Sequence, residues 1–445
     1  MNPSDRSISM TLHSHATSSA VRRLAISQGL SYAGRGAALT ALIWALYSAT
    51  SSAWWLSAAM LAIFGAATAV SPWTGHVGDR HDRRVVIMVS AGLAAIGFAV
   101  CALLVWHGDV LATILVTVAA GCTQGALTAA VQGAVPNLVA DEELARANSL
   151  AGAFRSAGYM LGPGIGGALL AVTAAPGVFA VSALMMAASA LLMVGIRAPF
   201  HTDRHEELGG RMDGYRQLMA DRWMRRLTLA WGLIMVGVGP VIVAEVVLAH
   251  HFEVGSVGYG LISVFWDGGG VAGAILGARL RRRFEQAAVV GGSAAIAVGF
   301  AVVGLTPIFW PVLLGMLIAG VFDSFGTVAA QNALQRRTPD RIRSRVSAAL
   351  DAIVLGAMGL SFALGAPLVT WLGPQGVYLA AAAITVVATL MLLPALRHMP
   401  EPVVLSPRRS RPVEKGRTRP EPRRERMRRP ALRLPRRPRR TRNRA

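Results

Sequence analysis

Charge is what this chain has least of. Only 15% of its 445 residues are Asp, Glu, Lys or Arg, while 53% are hydrophobic and mean hydropathy is +0.48. An ordinary soluble domain carries about 25% charged residues, so the composition excludes one. Lysine is almost missing: of 44 basic residues, one is a lysine and the rest are arginines. There are two cysteines, Cys101 and Cys122, both inside apolar runs. Two are too few for a disulfide framework, and they read as packing residues. Metal-ligand spacings, phosphate loops and nucleophile motifs are all lacking, and the ten histidines are scattered. The sequence therefore points to no enzyme, no cofactor and no metal site.

What it has is apolar runs near the ~20 residues that cross a bilayer as a helix. Twelve can be drawn: 24–48, 54–74, 85–106, 110–135, 148–171, 175–196, 227–250, 257–278, 287–308, 311–335, 346–371 and 374–396. Lipid offers the backbone no hydrogen-bond partner, so each is expected to be a helix. The first run is too long and too often interrupted by glycine for a signal peptide, and is expected to be retained. The expected fold is all-α and integral to the membrane, with twelve spans.

The arginines alternate along these spans. Three precede residue 24, three fall in 75–84, one in 136–147, seven in 197–226, four in 279–286 and five in 336–345. The segment 397–445 holds nineteen basic and four acidic residues. The intervening loops, "ATSSA", "HGD", "HFEVGS", "TPIFWP" and "LGPQG", hold none. The positive-inside rule then places both termini in the cytoplasm of a multi-pass protein of the plasma (inner) membrane. Trp54, Trp55, Trp73, Trp310 and Trp371 sit at span ends, as an interfacial aromatic belt requires.

The most charged short loop is "GHVGDRHDRR", residues 75–84. Topology explains its cations but neither Gly75 nor the acids Asp79 and Asp82. An Asp beside Arg in a tight turn suits an ion-pair latch on a neighbouring helix end. The pattern Gly-x-x-x-Asp-Arg-x-x-Arg-Arg, carried by Gly75, Asp79, Arg80, Arg83 and Arg84, resembles the loop 2–3 signature of the major facilitator superfamily. Val77 and Asp82 depart from it, standing where leucine and glycine are usual. A weaker echo, "GARLRRRFE" from Gly277, follows span 8 without an aspartate.

An internal repeat agrees with this resemblance. Residues 121–147 lie over 320–346 at an offset of 199, matching Gly121 to Gly320, Thr128 to Thr327, Gln132 to Gln331 and Arg146 to Arg345. The expected division is a cytoplasmic N-terminus (1–23), an N-terminal six-helix bundle (24–196), a cytoplasmic linker (197–226), a C-terminal six-helix bundle (227–396) and a basic tail (397–445). In the linker, Tyr215, Leu218, Met219 and Trp223 form an amphipathic face expected to lie on the membrane surface. The Pro- and Arg-rich tail is expected to be disordered and to bind anionic lipid, with no specific nucleic-acid role.

Span 5 carries "GYMLGPGIGG". Gly158, Gly162, Pro163, Gly166 and Gly167 fit the helix 5 motif of the superfamily's exporters, Gly-x-x-x-Gly-Pro-x-x-Gly-Gly. The resemblance implies that this helix packs on helix 8 across the halves and seals the outer route. The Arg-x-x-Gln-Gly that drug–proton antiporters of the superfamily often carry in helix 4 is incomplete: Gln124 and Gly125 are present, but Gly121 takes the arginine position. That leans towards the branch with macrolide-type and siderophore exporters.

Charges inside a membrane persist where they pair, face water or work. Arg35, Asp267 and Asp323 lie roughly 15–18 Å inside their spans at 1.5 Å per residue. In the superfamily helices 1, 4, 7 and 10 line the central cavity, and Arg35, Gln124, Glu245 and Asp323 fall on them. Tyr32 (with Trp44 and Phe325) offers aromatic contact there, and Arg155 and Asp351 lie nearer the cytoplasm. The expected function is proton-coupled efflux of a small organic molecule by a monomeric carrier, with Asp323 the first coupling candidate, Asp267 its reserve, and Arg35 a partner for Asp323. Import on the same fold, or a membrane anchor or sensor using the tail, are the alternatives.

Overall fold

A computed structural model describes residues 3–139, 143–194, 196, 212–338 and 340–394. The basic tail and the first half of the linker expected from the sequence, 197–211, lie outside them. Eleven helices follow in order: α1 (Pro3–Thr50), α2 (Ala53–Arg80), α3 (Arg83–His107), α4 (Val110–Leu138), α5 (Leu144–Val194), α6 (Asp213–Ala220), α7 (Arg222–His251), α8 (Gly255–Ala278), α9 (Glu285–Leu305), α10 (Trp310–Arg337) and α11 (Asp340–Leu392). No strand occurs among the described residues.

Nine stretches of the described residues are long and apolar enough to cross a membrane. Two of them, Ala147–Val194 and Ala349–Leu392, are 48 and 44 residues long, each enough for two passes. Both break where expected. The junction in α5 falls at Ala174 (φ 62°, ψ 170°) and the one in α11 at Gly373 (φ 70°, ψ 170°). These residues are 199 apart, the offset of the sequence repeat, so the same backbone corner recurs in both halves. The two long stretches thus supply four passes, the other seven one each, and α1 the twelfth. Arg35, Gln28 and several serines make α1 less apolar than the other passes, and it is packed into the bundle: Leu24, Ala37, Ala38 and Ala41 are fully buried.

Turn chemistry sets the remaining boundaries. Gly108 (φ 76°) closes α3 in the left-handed conformation, and the carboxylate of Asp109 then accepts the N–H of Ala112 to start α4. Asp221 caps α7 by accepting the N–H groups of Trp223 (2.9 Å) and Met224 (3.0 Å). The large apolar side chains that point outward, among them Leu93, Ile96, Leu184, Leu191, Val298 and Leu360, form the lipid-facing surface. Trp54, Trp55, Trp73, Trp310 and Trp371 are all exposed.

The larger apolar core joins both halves, running from Leu42 and Leu56 to Tyr259, Phe362 and Ala366. A second core belongs to the C-terminal half, where Leu218 of α6 packs with Trp223, Leu227, Val346 and Leu392. Here the structure differs from the surface-lying linker helix read from the pattern. Leu218 is fully buried and α6 docks on α11 and α7, because its apolar face is short and finds protein before lipid.

Candidate substrate cavity and gate

The glycines of α5 serve two neighbours. Gly158, Gly162 and Gly166 recur every four residues and press on α1. A methyl carbon at Gly162 would lie 2.8 Å from the carbonyl oxygen of Ala33, and one at Gly166 would lie 2.8 Å from the Cα of Ala37. Gly158 meets the backbone of Gly29, and Pro163 packs on Gly36. Gly164 and Gly167 face α8. A methyl carbon at Gly167 would lie 2.7 Å from the Cα of Gly260, and the Gly164 N–H donates to the Asp267 carboxylate at 2.6 Å. Proline inside a helix removes a donor and bends the rod, and small residues let backbones approach. Together they lay α5 along both α1 and α8.

Further contacts join the halves on the side whose loops lack arginine. Trp44 of α1 stacks on His250 of α7 (4.9 Å between centroids) and on Tyr259 of α8 (5.7 Å), and Tyr47 meets His250 edge-on. The Ser57 hydroxyl of α2 accepts the N–H of Ala366 in α11 at 2.7 Å, and Phe64 stacks on Phe362. Trp44 is therefore part of this seal, and Phe325, on the side of α10 away from Asp323, lines a surface groove with Leu276 and Phe322.

The acids occupy α7, α8 and α10. Glu245 accepts from the Ser263 hydroxyl at 3.1 Å, and Asp267 from Gly164. Asp323 of α10 has no hydrogen-bond or ion-pair partner among the described residues. Arg35 of α1 does not reach it. Its guanidinium donates instead to the Ala120 carbonyl and the Thr123 hydroxyl of α4, each at 2.7 Å. An arginine on α1 thereby flanks Gly121, where the helix 4 motif would carry its own. The Gln124 amide donates to the Thr128 hydroxyl (3.2 Å), which also bonds the Tyr32 hydroxyl (3.3 Å). Tyr159 of α5, which the pattern did not single out, stands edge-on to Tyr32 at 6.5 Å and is exposed. Its helix is not among the 1, 4, 7 and 10 that the resemblance names as cavity-lining, so only the tertiary structure brings it beside Tyr32. Arg155 and Asp351 make no ion pair among the described residues.

Of the latch residues, the side chains of Gly75, Asp79 and Arg80 lie outside the described ones. Asp82 caps α3 by accepting the N–H of Arg84 at 2.9 Å, which accounts for an aspartate where the signature has glycine. Arg84 donates to the Val194 carbonyl at the end of α5, within its own half. In the C-terminal half, buried Glu285 pairs with Arg336, and Asp221 pairs with Arg337 at 3.4 Å, with Arg337 over the Trp223 ring. These pairs tie the end of α10 to α9 and α7.

Twelve passes, two halves related by a repeated corner, and polar groups held between the halves define a polytopic membrane transporter. The chain belongs to the Major Facilitator Superfamily, whose profile matches residues 24–353 and again 307–441. Among curated proteins it is 26% identical over 396 residues to the multidrug efflux pump Tap of Mycobacterium tuberculosis, covering 82% of this chain and 91% of that one. It is 25% identical over 305 residues to the enterobactin exporter EntS of Escherichia coli, covering 64% and 72%. Among solved structures it resembles the nucleoside transporter NupG (TM-score 0.65, 12% identity, 84% of this chain and 99% of that one). It also resembles a bacterial homologue of the iron transporter ferroportin in an inward-facing state (TM-score 0.62, 17% identity, 85% and 99%). These likenesses establish the fold. The chain is a multi-pass membrane transporter and not an enzyme.

Proposed function

We propose that this transporter expels a small organic molecule by alternating access, with protons as the driving ion. The observation that carries the reading is the double packing of the α5 glycines, on α1 through Gly158, Gly162 and Gly166 and on α8 through Gly164 and Gly167. A backbone-to-backbone contact between halves leaves no space for solute, so it suits a carrier that must keep the outer side shut while loading from the cytoplasm. Relatives named as an exporter and an efflux pump support the same direction.

In this reading both termini face the cytoplasm of the inner membrane, the two six-helix bundles rock about the central cavity, and the carrier acts as a monomer. The Arg-rich tail attracts anionic lipid. Asp323 is the coupling acid: it sits on a cavity helix with no ion-pair partner among the described residues, free to exchange a proton as the cavity opens to each side. No observation favours the importer reading over this one.

Susceptibility to a panel of toxic small molecules, compared with and without expression, tests the direction. Protection with lower accumulation supports export, and sensitisation with higher accumulation overturns it. Proton-gradient-driven flux in liposomes tests the coupling. Asp323→Asn is expected to abolish uphill efflux and to spare exchange. Uphill efflux at the wild-type rate would make Asp323 a structural residue.

A further inference from the structure

Arg35 is a charge without a counter-charge. It lies mid-span in α1, and among the described residues no carboxylate is paired with it. Its two hydrogen bonds go to neutral acceptors, the Ala120 carbonyl and the Thr123 hydroxyl. A guanidinium carries five N–H donors, so three remain unused. One of them, Nε, is buried with no partner. A half-buried cation held only by neutral groups is expensive in a membrane, and such residues are kept where they meet a substrate or an ion.

Its surroundings look like half of a binding site. One turn along α4, the Gln124 amide oxygen is also buried and unpartnered, although its nitrogen donates to Thr128. The Tyr32 hydroxyl bonds the same Thr128, and the rings of Tyr32 and Tyr159 stand edge-to-face beside it. The wall formed by α1 and α4 thus offers unused cationic donors, one unused acceptor and two aromatic edges. The acids stand on other helices, Glu245 on α7, Asp267 on α8 and Asp323 on α10. Glu245 and Asp267 are already engaged by Ser263 and Gly164.

We propose that Arg35 binds an anionic group of the transported molecule, and that the substrate is an aromatic organic anion. This rests on the reading of the central cavity as the substrate site, but not on the direction of transport. The oxyanion takes the free guanidinium N–H groups in charge-assisted bonds, the strongest kind available to an arginine. The ring rests against Tyr32 and Tyr159, and a hydroxyl or amide on the ligand donates to the Gln124 oxygen. Binding supplies the missing counter-charge, so the loaded cavity wall is electrically quieter than the empty one. An anion is also pushed outward by an interior-negative membrane potential, which agrees with export.

The test uses the purified full-length carrier in detergent and three probes of one shape: 1-naphthoate, 1-naphthamide and 1-naphthylmethylammonium. Thermal unfolding is followed against probe concentration. Naphthoate is expected to raise the wild-type Tm, while the amide and the ammonium compound do not. In Arg35→Gln the naphthoate affinity should fall by about thirtyfold or more, as for truncation of one partner of a buried charge pair. If that variant does not fold, Arg35→Lys serves: it should keep the preference for the anion with a smaller shift. The proposal is overturned if the amide or ammonium compound stabilises the wild type as much as naphthoate, or if naphthoate gives no shift. It is overturned equally if naphthoate acts alike on wild type and Arg35→Gln, or if Arg35→Lys loses the anion preference. No gradient enters the measurement, so its failure is separate from failure of the efflux reading.

Discussion

Gly167 of α5 and Gly260 of α8 touch through their backbones: a methyl carbon on Gly167 would stand 2.7 Å from the Cα of Gly260. The two residues belong to opposite halves of the carrier. Neither half can present a larger side chain here without moving away from the other.

Gly167→Val should therefore separate the halves on the arginine-free side. Overpacking of a tight contact costs about 1–3 kcal/mol. The expected result is normal membrane insertion, a lower Tm in detergent, and a severe loss of flux. Wild-type flux in this variant would show that the contact has no part in the cycle.

Asp267 adds a polar bond to the same seam through the Gly164 N–H. Removing the carboxylate leaves glycine backbone against an empty space. Asp267→Ala is expected to widen the distance between spin labels at Ser52 and Ser256, which flank the seam in the two halves, in the absence of any substrate. An unchanged distance distribution would mean that the glycine contact alone holds the seam.

Ala174 carries a left-handed backbone (φ 62°, ψ 170°), whereas its repeat partner 199 residues on is Gly373 with nearly the same angles. A side chain there is strained by about 1–3 kcal/mol. Ala174→Gly should raise Tm with no effect on flux, and Gly373→Ala should lower it. The opposite order would remove the argument from strain.

The orientation drawn from the arginines can be checked with an impermeant thiol reagent. A cysteine at Ser256 should label from outside intact cells and one at Arg282 should not. Arg282 is exposed in the turn after α8, whereas Thr338, a natural choice from the sequence, is buried with its hydroxyl on the Leu334 carbonyl. Labelling in the reverse sense would invert the topology.

The sequence by itself determined the number of passes, the two-fold repeat and the family. Apolar run length, loop charge and the placing of Gly and Pro are local quantities, and in lipid they leave the backbone one option per run. The backbone corners at Ala174 and Gly373 stand at the same offset of 199 that the sequence shows between helices 4 and 10. The α5 glycines were legible for the same reason, since a glycine stripe records a close contact whichever helix supplies the other side. What only the tertiary structure decided was partnership between charges. The pattern put Arg35, Asp267 and Asp323 at similar depth and suggested a pair between Arg35 and Asp323. In the fold Arg35 turns to α4, Asp267 is held by Gly164, and Asp323 has no hydrogen-bond or ion-pair partner among the described residues. Depth is set by position along a helix, but a partner is set by rotation about its axis and by which neighbour packs against that face. Those follow from side-chain packing between distant segments, which no single run of residues contains.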